Sequence, residues 1–191
     1  MTRRIFFSAD HHFGHANIIK YCSRPFSSAD EMNEEMVKRW NEVVDPNDLV
    51  YYLGDFSLSK SLVVPFATRL NGEKYLIMGN HDACHPTHKK KAAVGLEIYK
   101  NAGFKEITLE KTIELAGQPV LLNHLPYLDE EPKLEYKGKF SNYRPKETGD
   151  WLIHGHVHEK WKTKEHMLNV GVDVWDFYPV PMAEVEKIIA P

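Results

Sequence analysis

The sequence predicts a single α/β domain spanning residues 1–191, and three observations carry the prediction. The chain has 191 residues, 42% of them hydrophobic, which is enough to bury a substantial core and fits one domain better than two. Short apolar runs recur with helical patterns between them, the alternation expected of strands and crossover helices. Five of these runs end in side chains able to bind a metal, and in an α/β sheet such strand ends gather on one edge.

Arg4 to Ala9 reads as a buried first strand, because Ile5, Phe6 and Phe7 are consecutive. A short turn of helix at Ala16 to Tyr21 follows. Ser28-Ala29-Asp30-Glu31 then has the spacing of a capping box opening a helix that reaches about Val43. Met32, Met36, Val37 and Trp40 fall on one face of that helix and are read as core. Leu49 to Leu53 is a second strand, and Leu58 to Leu70 is read as helix despite Pro65. Tyr75 to Met78 is a third strand, followed by a helix from about His88 to Asn101. Phe104 to Leu115 alternates in the β manner and Pro119 to Leu122 follows a turn, which predicts antiparallel pairing here. Residues 129–150 are polar and long for a connection, and a substrate-facing lid and a surface insertion fit them equally. Leu152-Ile153, Met167 to Val172 and a helix over Val180 to Ile189 complete the pattern.

Composition narrows the partners. A net charge of −3 and a pI near 6.4 argue against a protein held to nucleic acid by a basic surface. The local run His88-Lys89-Lys90-Lys91 would matter only for such a substrate. No apolar run approaches a membrane span, and the apolar stretch near the start is too short for a secretory signal. Cys22 and Cys84 form no CxxC pattern, so a reducing, cytoplasmic setting is expected. Oligomeric state is left open.

The strand ends supply Asp10 and His12, then Asp55, then Asn80 and His81, then His124, then His156 and His158. The last pair lies in Trp151-Leu152-Ile153-His154-Gly155-His156-Val157-His158. An extended continuation of that strand would put His156 and His158 on one side, and Gly155 would admit a close approach. Oxygen and nitrogen donors without a cysteine pair suit two borderline divalent cations, Mn²⁺ first, with Fe, Zn²⁺, Co²⁺ and Ni²⁺ as the others.

In this order the motifs D-x-H, G-D, G-N-H-D, a lone H and G-H-x-H resemble the calcineurin-like metallophosphoesterases. The resemblance implies a four-layer αββα sandwich of two mixed sheets flanked by helices. It also implies that Asp10, His12 and His158 hold one metal, that Asn80, His124 and His156 hold a second, and that Asp55 bridges them. His81 would contact the phosphate and protonate the leaving group. The implied reaction is phosphoester hydrolysis by a water activated between two cations, with a nucleotide-like or cyclic diester as the first substrate class and a monoester as the alternative. Arg24 and Arg144 are the guanidinium candidates for a substrate phosphate, against plain surface solvation. His15 is a candidate outer support for a ligand, and Asp82 for the His81 tautomer. His11 and His154 are read as structural.

Departures sharpen the resemblance. Phe56-Ser57-Leu58 follows Gly54-Asp55, and Asp82 stands where serine/threonine protein phosphatases of the family have Glu, which argues against that activity. Retromer-type scaffold relatives lose the histidine of G-N-H. Here His81 is present, which favours an enzyme over a non-catalytic metal-binding scaffold. The triplet Asp10-His11-His12 invites the DHH phosphoesterases as well, but their earlier aspartate motif has no counterpart before Asp10, and the triplet is read as coincidence.

Overall fold

The computed structural model describes residues 2–127 and 140–190. The chain runs β1 (Ile5–Ser8), α1 (Ala16–Tyr21), α2 (Ala29–Val43), β2 (Leu49–Tyr52), α3 (Lys60–Ala67), β3 (Glu73–Ile77), α4 (Ala92–Asn101) and β4 (Phe104–Thr108). It continues through β5 (Glu110–Leu115), β6 (Gln118–Asn123), β7 (Trp151–His154), β8 (Thr163–Lys164), β9 (Met167–Asn169), β10 (Val180–Pro181) and α5 (Met182–Ile189). Two five-stranded mixed sheets result, ordered β10-β1-β2-β3-β4 and β5-β6-β7-β9-β8. The expected α/β architecture of two mixed sheets flanked by helices is what the chain adopts.

Alternation along the first sheet decides the layering. Phe6, Val50, Tyr52 and Leu76 point to one face, where Ile18, Met36, Trp40, Val63, Phe66 and Tyr99 from α1 to α4 cover them. Phe7, Leu49, Tyr51 and Ile77 point to the other, against Val120, Leu122, Ile153 and Leu168 of the second sheet, with Val185 and Ile189 of α5. Burial on both faces is why β1 and β2 are continuous apolar runs. The predicted stripe Met32, Met36, Val37 and Trp40 is buried. Ser28 caps α2 by accepting the Glu31 N–H at 3.1 Å. The Glu31 carboxylate reaches back to the Ser27 N–H, one residue earlier than a capping box requires.

Several boundaries differ from expectation. The helix expected over Leu58 to Leu70 is confined to Lys60–Ala67. The helix expected from His88 becomes a 3-10 turn at Pro86–Lys91 and then α4, broken at Lys89 with φ 53°. The alternating stretch from Phe104 divides between the sheets. β4 joins β3 in parallel, β5 and β6 form the antiparallel hairpin, and β6 pairs β7 in parallel. Alternation reports a half-buried strand but does not name its partner. The run Met167 to Val172 leaves strand geometry after Asn169, and the expected helix from Val180 begins with the short edge strand β10. Pro181 is tolerated there because an edge position needs no donor.

Of the segment 129–150, residues 129–139 lie outside the described residues. The remainder carries a 3-10 turn at Ser141–Tyr143, and the Tyr143 ring packs edge-on against His85 at 4.7 Å. Among the described residues no helix is long and apolar enough to cross a membrane.

Candidate metal centre

The loops leaving β1, β2, β3, β6 and β7 bring the seven expected ligands to one edge. Asp10, His12 and His158 offer donor atoms that all lie within 4.8 Å of one another, and so do Asp55, His124 and His156. Asp55 faces both groups: its Oδ2 lies 3.6 Å from His12 Nε2 and 3.4 Å from His124 Nε2. Asp10 Oδ1, His12 Nε2, Asn80 Oδ1 and His124 Nε2 are buried with no hydrogen-bond partner among the described residues. Leaving such groups unsatisfied costs about 1–3 kcal/mol each. Cations accepting these lone pairs satisfy them, so the donor set fits divalent metals.

The backbone is bent to make this possible. Asp10, His12, Asp55, His156 and His158 have φ of 61°, 52°, 58°, 70° and 54°, in the left-handed region that non-glycine residues avoid. Each such residue costs on the order of 1–3 kcal/mol and persists where the surroundings over-determine it. The expectation that His156 and His158 continue an extended strand is therefore corrected. β7 ends at His154, and the two imidazoles part into different groups because the chain turns at each of them.

Close approach does the rest. A Cβ on Gly155 would sit 2.5 Å from Asp10 Oδ2 and 2.7 Å from Ala9 Cβ, while His156 N–H donates to that same oxygen at 2.8 Å. A Cβ on Gly79 would lie 2.3 Å from Asp55 Oδ1. Gly155→Ala is expected to destabilise the fold by about 1–3 kcal/mol and to lower divalent-metal affinity, because Asp10 must move. Urea unfolding and metal titration check this, and wild-type values in both would refute it.

Charge is distributed unevenly. Burial lifts Asp10 to about 6, against the pull of His158 and His124. Burial opposes charge on His124 as well, but the Asp55 carboxylate outweighs it and raises the imidazole to about 9. Likewise His158 rises to about 11 against its burial, through Asp10 and Asp173. His12 and His156 are driven well below the ordinary histidine range, mainly by burial. The carboxylates thus call for positive charge at this edge, held by His124 and His158 as protons that a metal ion would replace, while His12 and His156 stay neutral.

His81 is exposed where most ligands are buried. Its N–H donates to Asp55 Oδ1 at 2.9 Å, and its ring lies 5.7 Å from that of His12. Asp82 gathers backbone donors from two of the loops. Its carboxylate accepts the N–H groups of Asp55, Phe56 and Gly79 at 3.0, 2.9 and 2.8 Å and the Tyr99 hydroxyl at 2.6 Å. It therefore ties the G-D and G-N-H loops together.

His15 stands at the start of α1 without capping it, its ring 6.0 Å from that of His12. His11 is buried against Phe13 and Trp40, with Nδ1 2.9 Å from the Tyr52 hydroxyl. His154 is buried against Trp161, with Nδ1 2.6 Å from the Gly155 carbonyl. Neither belongs to a ligand group among the described residues.

Arg24 is corrected as a substrate contact. Its guanidinium is fully buried, donating to both Asp173 oxygens at 2.7 and 2.9 Å and to the carbonyls of Asp10 and His11 at 2.7 and 3.0 Å. Arg144 follows the 3-10 turn at Ser141–Tyr143, close enough for its charge to help lower His156. Two residues escaped the sequence reading. Asp173 meets His158 Nδ1 at 3.0 Å, and its only signal was its place after the strand Met167–Asn169. His85 is buried beside Tyr143 and falls to about 4 through burial and the charge on His124; no motif marked it.

Comparison with known proteins agrees with this geometry. A profile described as the calcineurin-like phosphoesterase superfamily domain matches residues 4–176. An uncharacterised protein of Methanocaldococcus jannaschii is 34% identical over 197 residues, covering 98% of this chain and 92% of that protein. The Gene 66 protein of Mycobacterium phage D29 is 28% identical, covering 97% and 95%. A solved structure of a protein of unknown function from Aquifex aeolicus superposes with a TM-score of 0.69 at 27% identity, covering 98% of this chain and all of that one. The ligand groups, the paired mixed sheets and a profile match across nearly the whole chain converge: this protein belongs to the calcineurin-like phosphoesterase superfamily and is a metal-dependent phosphoesterase.

Proposed function

We propose that the protein is a dinuclear phosphodiesterase acting on a nucleotide-like or cyclic small substrate. Asp55 carries this reading, because a single carboxylate oxygen faces imidazoles of both ligand groups at 3.6 and 3.4 Å, as a bridge between two cations requires. Asp10, His12 and His158 would hold one ion and Asn80, His124 and His156 the other, with Mn²⁺ the first candidate. When bound, such a pair supplies a water-derived nucleophile at neutral pH and neutralises charge gathering on phosphorus.

The chain's own groups supply the remainder. His81 is exposed beside the ligands, placed to give a proton to the departing alkoxide. A diester is the first substrate class and a monoester the alternative. With Arg24 engaged by Asp173, Arg144, near enough for its charge to act on His156, is the remaining guanidinium candidate of the two for a substrate phosphate.

Chelation followed by Mn²⁺ add-back tests the proposal, with bis-p-nitrophenyl phosphate and p-nitrophenyl phosphate in parallel. Metal-restored hydrolysis with the diester preferred is expected. Absence of metal-dependent hydrolysis of both compounds would sink it. A panel of cyclic nucleotides and oligonucleotides then narrows the substrate, salt dependence exposing any contribution of His88-Lys89-Lys90-Lys91 to oligonucleotide binding.

A further inference from the structure

We infer that Asp173, held in place by Arg24, is the positioning residue that presents His158 to its cation. The inference rests on the reading of this edge as a metal centre.

The geometry is a chain of contacts. Asp173 Oδ2 lies 3.0 Å from His158 Nδ1. An ionised carboxylate only accepts hydrogen bonds, so Nδ1 must donate, which leaves the Nε2 lone pair directed away from Asp173. Asp10 and His12, the other members of the ligand group, offer donor atoms within 4.8 Å of one on His158. A ligating histidine whose second nitrogen is held by a carboxylate is fixed in tautomer and ring orientation.

Arg24 makes the carboxylate permanent. The pair is buried, with side-chain exposures of 0% and 2%, and burying two charges is costly even when they are matched. A fork bonded to both oxygens of Asp173 fixes the carboxylate plane as a single-point cation would not. The same guanidinium donates to the carbonyls of Asp10 and His11. One side chain therefore ties the left-handed loop bearing Asp10 and His12 to the carboxylate behind His158.

Asn169 braces the assembly, its amide donating to the carbonyls of His158 and Trp161 at 2.8 and 2.9 Å. Cys22 also lies within 4.8 Å of donor atoms on His158 and Asp173. This trio is not a further cation site, because the Asp173 carboxylate is already matched by the guanidinium.

The test is Mn²⁺ binding to the full chain, read by calorimetry and paramagnetic resonance, in a double-mutant cycle. Asp173→Asn is expected to weaken uptake about 10- to 100-fold, the range for loss of an outer partner of a ligand. On a His158→Ala background the same substitution is expected to change nothing further, because its effect passes through that imidazole. Asp173→Ser serves as the second variant, and the melting temperature of the metal-free proteins reports folding separately. Wild-type Mn²⁺ affinity in both folded variants would overturn the inference. An equal loss on the His158→Ala background would overturn it too, showing a general effect on the fold. Wild-type protein that takes up no Mn²⁺ would remove the metal-centre reading and this inference with it, whereas wild-type uptake with unaffected variants removes the inference alone.

Discussion

His81→Ala lowers turnover of a diester with an alkoxide leaving group by about 10²- to 10⁴-fold, the contribution of a positioned general acid, and leaves metal content at the wild-type level. The separation is expected because the hydrogen bond His81 makes to Asp55 comes from its backbone, the N–H donating to Asp55 Oδ1 at 2.9 Å. Alanine keeps that bond and removes only the imidazole. The loss should shrink on p-nitrophenyl esters, whose leaving group departs without a proton. Metal analysis with kcat on both substrate types checks this. Undiminished turnover of the alkoxide ester, or loss of metal, would remove the role.

Asp55→Asn has the opposite signature, with metal occupancy falling and turnover dropping at least on the order of 10²- to 10³-fold, as when a preorganised electrostatic group is deleted. The carboxylate lies between His12 and His124, and an amide there loses the charge and turns either an oxygen or an N–H toward each group. Metal content after dialysis, together with activity under excess Mn²⁺, reads the effect. Full occupancy and full turnover in the folded variant would show that Asp55 bridges nothing. Run together, the two substitutions separate chemistry from assembly.

Much of this centre was legible in the sequence, for a physical reason. A strand buried on both faces must be an apolar run, so Ile5-Phe6-Phe7 and Leu49-Val50-Tyr51-Tyr52 advertise themselves, and the polar residues just beyond them stand at the sheet edge. What escaped depends on the backbone leaving a regular period or on partners far apart. Two-residue alternation has no meaning through left-handed turns, so the extended continuation expected to put His156 and His158 on one side is not what the chain adopts. Arg24 looked like a surface guanidinium because its partner stands 149 residues away. That Asp82 gathers the amides of Asp55 and Phe56 was hidden because they come from another loop. The β-type pattern after Phe104 could not say that Thr108 and Glu110 belong to different sheets.

That distance along the chain bears on how the protein is made. His156 and Asp10 touch across 146 residues, and the bridge between Ala9 and Gly171 ties the end of β1 to the turn after β9. Loops of such length close late and slowly, since their entropy must be met before the contacts reward it. During synthesis, Asp10 and His12 emerge first and wait for almost the whole chain before His158 and its Asp173 support arrive. No nascent fragment that stops short of His158 would hold the complete expected ligand set. An ion bound there would stabilise the assembled state, by about 2.7 kcal/mol at a hundredfold excess over Kd, as a clasp between segments far apart in the chain.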